Sequence, residues 1–364
     1  MDRRNILIGG GTLVLARVGA AYASIQQMGS MEAFNASVAK TRARLAEAPE
    51  KRDLIRYATL GANSHNTQPW RFKVADGSIQ ILPDFSRRIP VVDPDDHHIF
   101  ASLGCAAENL AIAAGARGKA GELHFDAANA SSITFTPGNG KPSAAALFEA
   151  IPVRQSTRTE YDGRAASAPD ITLLAAAAKL PGVDVVLITE RAQINQVRDL
   201  IIAANTAQMA DPGFTRELKS WIRFNPRQAM DSGDGLFSPL SGGPVLPGWA
   251  AQTLFEWFFK TASENEKYRR QIDSSAGLVI FASAEANPEH WILAGRASQR
   301  FALQATALGL KHAFVNQPVE VARFRPELAA LIGLPGRRPD LVMRFGYAAA
   351  LPFSARRPVE AVLA

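Results

Sequence analysis

Two alanine-rich stretches far apart in the chain share one pattern, and it constrains the fold more than any other feature of the 364 residues. Gly104 to Gly118 and Gly295 to Gly309 each run between glycines fourteen positions apart. Ala106, Leu110 and Ala114 of the first match Ala297, Phe301 and Ala305 of the second. Small residues at i, i+3 and i+4 make a helix face that another helix can approach closely, and a glycine after the last turn is a good terminator. Each stretch is followed by an extended run, Leu123-His124-Phe125-Asp126 in one case and Lys311-His312-Ala313-Phe314-Val315 in the other. Each is preceded by a short helix and a strand: residues 50–60 and 70–74, then 169–180 and 183–188. The same order of elements twice points to an internal duplication. Helices and strands mixed in this way predict an α+β sandwich around a small antiparallel or mixed sheet, with one half at 31–150 and the other at 151–364.

Composition narrows the function. Apolar residues are 47% and charged residues 20%, the profile of a soluble globular chain. Cys105 is the only cysteine, so an internal disulfide, a cysteine zinc site and an iron–sulfur cluster are all excluded. The net charge of +6 comes from thirty Arg and ten Lys, and the arginines are dispersed rather than gathered into runs. Planar guanidinium forks spread in this way suit a small phosphorylated ligand, and no nucleic-acid partner is expected.

Residues 1–30 stand apart. Arg3-Arg4, an apolar run from Asn5 to Ala16 and the small-residue Ala21-Tyr22-Ala23 resemble a twin-arginine export leader. The run is too short for a stable membrane span, which needs ~20 apolar residues. The expected location is periplasmic or exported by that route, with a cytoplasmic chain and a frayed N-terminal helix as the alternative.

Two motifs carry the chemistry. Asn63-Ser64-His65-Asn66-Thr67-Gln68-Pro69-Trp70 is a loop dense in amides and hydroxyls ahead of the strand that starts at Trp70. Such groups donate and accept hydrogen bonds, and suit a heterocycle with alternating N–H and C=O groups. In the other half, Arg154, Ser156 and Arg158 fall at i, i+2 and i+4, a spacing that lets two guanidinium forks and a hydroxyl converge on one phosphate. Asp93-Pro94-Asp95-Asp96-His97-His98 has metal-ligand residue types, but it also reads as a helix start with Asp93 as N-cap and Pro94 at N1, and no metal is assigned. Ser64 and His65 lack an identifiable acid for a hydrolase triad. Walker loops and Gly-x-Ser-x-Gly elbows are absent from the sequence.

Together these residues resemble the nitroreductase family of flavoproteins. The first motif is similar to that family's Ser-x-x-Asn-x-Gln-Pro-Trp region, and the second to its Arg-Arg-Ser-x-Arg opening, with Gln155 in place of the second Arg. Phe314-Val315-Asn316-Gln317-Pro318 stands where the family's backbone meets flavin N5. Gly346-Tyr347 and Ser354-Ala355-Arg356-Arg357-Pro358 resemble its closing Gly-Tyr and phosphate-contacting segment. Asn63 to Trp70 resembles the Acg-like branch in particular, whose chains fuse two family-like halves.

The resemblance implies a nitroreductase-like sandwich with two pseudo-twofold related halves. It implies FMN held by Asn63, Ser64, Asn66, Gln68, Arg154, Ser156, Arg158, Asn316, Gln317, Arg356 and Arg357. The flavin itself carries the chemistry, so no protein side chain is expected to be catalytic. Each half lacks the part that the other retains. One composite FMN site per chain is therefore expected, in a monomer acting as a pseudo-dimer that meets a small-molecule electron donor and acceptor.

Residues 203–260 have no counterpart in the first half and read as a lid. Three tryptophans, Trp221, Trp249 and Trp257, stand ready to stack on a flat ring, and residues 233–248 read as its hinge. If the lid seals the pocket, the alternative function is flavin storage with little turnover.

Overall fold

A computed structural model describes residues 27–364, except 130 and 141–144 and the side chains of 252, 256 and 258. The proposed leader therefore lies almost wholly outside the described residues. The residues expected to form the first half contain helices α1 (Met31–Thr41) and α2 (Lys51–Ala58), strands β1 (Trp70–Ala75) and β2 (Ser78–Pro83), and helix α3 (His97–Ala116). Strands β3 (Gly121–Asp126) and β4 (Ser132–Pro137) and helix α4 (Ala145–Ala150) complete it. The second half begins with α5 (Ala168–Ala178) and β5 (Val183–Ile188). A long connection follows, with α6 (Arg191–Met209), α7 (Pro212–Ser220), β6 (Ile222–Arg223), α8 (Pro226–Ser232), β7 (Leu236–Phe237), α9 (Gly248–Phe258) and α10 (Thr261–Asp273). Then come β8 (Gly277–Ser283), α11 (Pro288–Ala307), β9 (Lys311–Phe314), α12 (Gln317–Glu320), α13 (Arg325–Leu331) and β10 (Leu341–Gly346).

Two antiparallel sheets run in the orders β1-β2-β4-β3 and β5-β8-β10-β9. In β2, Ile79, Ile81 and Pro83 are buried and alternate with half-buried Ser78, Gln80 and Leu82, the pattern of a sheet with one covered face. Strand β8 is buried throughout. Val279 and Phe281 enter the cluster built on Phe301 of α11, while Leu278 and Ile280 enter the one built on Ile194 and Val197 of α6. The second sheet is therefore covered on both faces.

The connections differ more than the sheets. A two-residue turn, Asp76-Gly77, joins β1 to β2, with Gly77 at φ +76°. Residues 189–276 join β5 to β8. This connection contains residues 203–260, which the sequence set apart. Helices α6 and α10, which begin and end it, cover the second sheet as ordinary amphipathic helices and read as part of the half.

Helix α3 also differs from expectation. It starts at His97 with Asp96 as N-cap, not at Pro94. Residues 93–96 form a turn closed by the Asp96 N–H to the Asp93 carbonyl, and the Asp93 carboxylate accepts from the His98 N–H at 2.8 Å. By length and hydropathy α3 passes as a membrane-crossing helix, but it is the buried core helix of the first half.

Helices α3 and α11 meet through the glycines that open the two sequence repeats. A Cβ on Gly104 would lie 2.1 Å from the Ile292 carbonyl oxygen, and one on Gly295 would lie 2.0 Å from that of Ala101. The contact is reciprocal: each glycine meets the carbonyl three residues before the other. Along the same seam Gln299 donates to Asn109 at 2.7 Å, and Arg296 and Arg300 each donate to buried Glu108 at 2.8 Å. Gly295→Ala should therefore force the helices apart and destabilise the chain by about 1–3 kcal/mol, the usual range for overpacking. Thermal unfolding checks this, and an unchanged midpoint would show that the seam yields freely.

Candidate functional site

The Asn63–Trp70 loop is strained. His65, Asn66 and Gln68 sit at φ 46°, 55° and 54°, in the left-handed region that side chains rarely adopt. Several hydrogen bonds hold it there. Asn63 Oδ1 accepts from the Gln68 N–H at 2.9 Å. Asn66 Nδ2 donates to the carbonyls of Gly235 and Ala355, at 3.0 and 3.1 Å. Gln68 Nε2 donates to the Gly233 carbonyl at 2.8 Å, and its Oε1 accepts from the Arg357 N–H at 2.9 Å. Asn66 and Gln68 thus tie the loop to the long connection and to the C-terminal tail. They do not line the adjacent cavity.

That cavity has a volume of about 400 Å³ and lies between the halves. Asn63, Ser64 and His65 come from the loop, and Ala101, Ser102 and Cys105 from the small face of α3. The second half adds Arg158, Asn316, Gln317, Tyr268 and Glu320. The roof is phenylalanine and leucine from the long connection: Phe214, Leu218, Phe224, Leu254, Phe255 and Phe259. The expected tryptophan stack is not there. Trp221 lies outside, facing the Arg87 and Arg223 guanidiniums, while Trp249 and Trp257 are 67% and 71% exposed. Helix α9 turns Leu254 and Phe255 inward and Trp257 outward, a division by helix face that residue counts do not reveal. The expected hinge is pinned near both ends. Gly233 and Gly235 are held by Gln68 and Asn66, and Leu246 bonds to Phe224 and Asn225.

Beside the Asn63–Trp70 loop three arginines gather, with no carboxylate among the described residues. Arg154 is buried and donates to the Leu60 carbonyl at 2.8 Å. Arg356 donates to the Thr59 carbonyl at 2.7 Å and to Asn66 Oδ1 at 2.6 Å. Arg42 donates to the carbonyls of Pro152 and Arg154, at 2.7 and 3.3 Å. The Nε atoms of Arg42 and Arg154 are buried and have no hydrogen-bond partner among the described residues. Burial, and then mutual repulsion, pushes Arg356 down to about 9 and holds Arg42 well below the usual arginine range. Burial brings Arg154 to about 10. Clustered cations with unpaired nitrogens and only carbonyls for partners suit a bound anion.

The other polar groups on the wall behave differently. The Cys105 thiol, which donates to the Gly295 carbonyl, is pushed by burial up to about 12 and is inert as a nucleophile. His65 is lowered to about 4, mainly by burial, and its Nδ1 is buried without a partner. Asp93, His97 and His98 come within 4.8 Å of one another. Protein contacts account for them: His97 faces Asp340 at 3.2 Å and His98 faces Glu320 at 3.5 Å, while Asp93 accepts from the His98 backbone.

Of the residues singled out in the sequence, Asn63, Ser64, Arg158, Asn316 and Gln317 share the cavity wall, and Arg154 and Arg356 share the arginine cluster. Ser156 pairs with His312 in a parallel bridge, away from the wall. The Arg357 guanidinium turns to the Ala361 carbonyl and to Asp84. Arg42, Gln208, Tyr268 and Glu320 were missed, and His98 was read only within the Asp93–His98 helix start. Arg42 belongs to an alternating Lys40, Arg42, Arg44 run that reads as a solvated helix end, and nothing in its spacing marks it out.

No family model matches the chain. Over 327 residues it is 23% identical to "Putative NAD(P)H nitroreductase Rv3131" of Mycobacterium tuberculosis (strain ATCC 25618 / H37Rv), covering 87% of this chain and 92% of that protein. It is 22% identical over 329 residues to "Putative NAD(P)H nitroreductase acg" of the same strain, covering 85% and 93%. Among solved structures, a nitroreductase with bound FMN from Desulfitobacterium hafniense aligns at 12% identity and a TM-score of 0.37, over 59% of this chain and 96% of the other.

Proposed function

We propose that the chain is an FMN-dependent oxidoreductase of the nitroreductase type, with one flavin bound in the cavity between its halves. The carboxylate-free cluster of Arg42, Arg154 and Arg356, tied through Arg356 to the loop that walls the apolar-roofed cavity, carries this reading. Its clustered, mutually repelling guanidinium charges suit a phosphate dianion. When bound, FMN supplies the hydride or electron transfer. In this assignment the three arginines hold the phosphate. Asn63, Ser64, Asn316 and Gln317 offer donors and acceptors to the ring edge, and Arg158 sets a positive charge beside it. The phenylalanine roof keeps water out. The mycobacterial relatives' names point to NAD(P)H as electron donor.

The two halves are read as a duplication related by a pseudo-twofold axis. Support comes from the matching strand orders and from the reciprocal contact of Gly104 and Gly295. A monomer then carries both contributions to the site, and size-exclusion chromatography with light scattering should give the mass of one chain. Storage of flavin is a second reading, favoured by the roof and by the bonds from the loop to Gly233 and Gly235 of the same long connection. Recording the absorbance of the purified chain before and after NADPH separates the two. Bleaching within seconds supports an enzyme, and a flavin spectrum that only dithionite bleaches supports storage.

Export of the folded, loaded protein by the twin-arginine route is part of the proposal, and rests on Arg3-Arg4 and the Ala21-Tyr22-Ala23 site. Replacing Arg3 and Arg4 by Lys should leave the protein in the cytoplasm with flavin bound, as judged by cell fractionation. Equal periplasmic amounts of both forms would reject the route.

A further inference from the structure

The flavin assignment leaves a polar pair on the cavity wall without a role. His98, in the first turn of α3, and Glu320, the last residue of α12, both face the cavity, with Nε2 and Oε1 3.5 Å apart. Gln208 of α6 donates to the other Glu320 oxygen at 2.8 Å, which fixes the carboxylate. The His98 backbone is fixed by Asp93 at 2.8 Å. With Nε2 turned to Glu320, Nδ1 has no hydrogen-bond partner among the described residues. A carboxylate orienting one ring nitrogen and leaving the other free is the arrangement of an acid–base histidine.

We propose that His98 is a catalytic acid of this site, which protonates the oxygen of a conjugated carbonyl acceptor, such as a quinone, as that acceptor is reduced. The inference rests on the FMN reading above. The acceptor gains two electrons and one proton as a hydride equivalent, drawn from a reduced nicotinamide, and its oxygen takes a second proton from Nδ1. The imidazolium becomes imidazole, keeps its Nε2 proton toward Glu320, and is recharged from solvent. The carbonyl becomes a hydroxyl, and the acceptor leaves with two electrons and two protons more than it brought.

The surroundings keep His98 charged. Glu320 faces it from α12, Asp93 and Asp95 from the turn before α3, the His97 ring from 4.8 Å away on its own helix, and His65 from the opposite loop. Burial opposes the charge. The Asp93 charge and the hydrogen bond and charge of Glu320 outweigh it, so the pKa lies above the usual histidine range. Glu320 is held below the usual carboxylate range: burial acts against ionisation, and the His98 and Gln208 contacts override it. His65, lowered to about 4, stays neutral across the cavity. Two histidines on one cavity wall with opposite shifts mark an acid and a neutral partner. A histidine raised in this way is charged below its pKa, so proton delivery is lost as pH rises through that value.

Two measurements on the full chain test this. In an NMR titration with ¹³C-labelled histidine, the His98 signal, assigned by its loss in His98→Gln, should titrate above free histidine and move down in Glu320→Gln. In an anaerobic stopped-flow experiment, dithionite-reduced protein is mixed with menadione across a pH range. The wild-type rate should fall as pH rises through the His98 midpoint, and in His98→Gln it should be about 100-fold slower or more and lose that dependence. A His98 midpoint below free histidine would overturn the proposal. So would a His98→Gln rate within twofold of wild type with the same pH profile. A chain that takes up no flavin defeats the FMN reading and this one together, whereas a flavin-loaded chain with a flat profile defeats this one alone.

Discussion

Replacing Arg154 and Arg356 together by Met should leave a folded chain that retains almost no flavin. Each guanidinium removes a charge-assisted contact worth about 1.5–3 kcal/mol, so the pair should weaken FMN binding by about two to four orders of magnitude. Quenching of flavin fluorescence on titrating apo-protein with FMN measures the loss. The flavin-free protein should respond in the opposite sense. Both arginines have folded pKa values pushed down, Arg154 by burial and Arg356 by burial and then by Arg154. A base whose folded pKa lies below its unfolded value costs stability while it stays charged. The cost is full at neutral pH and fades as pH rises above about 9, the lower of the two values. The Met variant should therefore unfold no earlier than wild type at pH 7 in the apo form, and any advantage should shrink above pH 9. Loss of apo stability together with full FMN retention would show that the arginines serve only to cap the carbonyls at residues 59–61.

Removing the two loop latches should open the roof. In Asn66→Ala/Gln68→Ala the side-chain bonds to Gly235, Gly233 and Ala355 disappear. So does the one that Gln68 accepts from the Arg357 N–H. At about 1 kcal/mol net per bond, loss of even two shifts the closed–open balance by roughly 30-fold. If the phenylalanine roof limits access, NADPH should reduce the flavin more than tenfold faster in this variant, while dithionite, a small reductant, gains little. Rapid wild-type reduction by NADPH, unchanged in the double variant, would mean the roof does not limit access and would remove the case for storage.

Much of the framework was readable from the residues because backbone contact leaves a mark. Two helices touching through main chain require glycine where they cross, and Gly104 and Gly295 mark that crossing in the sequence. The polar loop borders a cavity, yet its residues divide: Asn63 and Ser64 face it, while Asn66 and Gln68 hold the loop in a strained shape. Residue type marks both groups equally, and only the left-handed backbone angles separate them. The α3 start slipped from Pro94 to His97 because Asp93 can satisfy either a first-turn N–H or the turn that precedes it. The tryptophans misled because a large apolar side chain stacks on a ligand only if its helix face points inward. Arg42 was invisible because its value comes from Arg154 and Arg356, both more than a hundred residues away in the chain.

The central claim is a single FMN shared by the two halves. Its most direct test is the ratio of flavin to protein in the purified chain after saturation with FMN and removal of the excess, read from the absorbance of flavin released by heat denaturation. One FMN per chain, falling to near zero in the Arg154→Met/Arg356→Met variant, is the predicted result. Two per chain, none, or one that survives the double substitution would contradict the account.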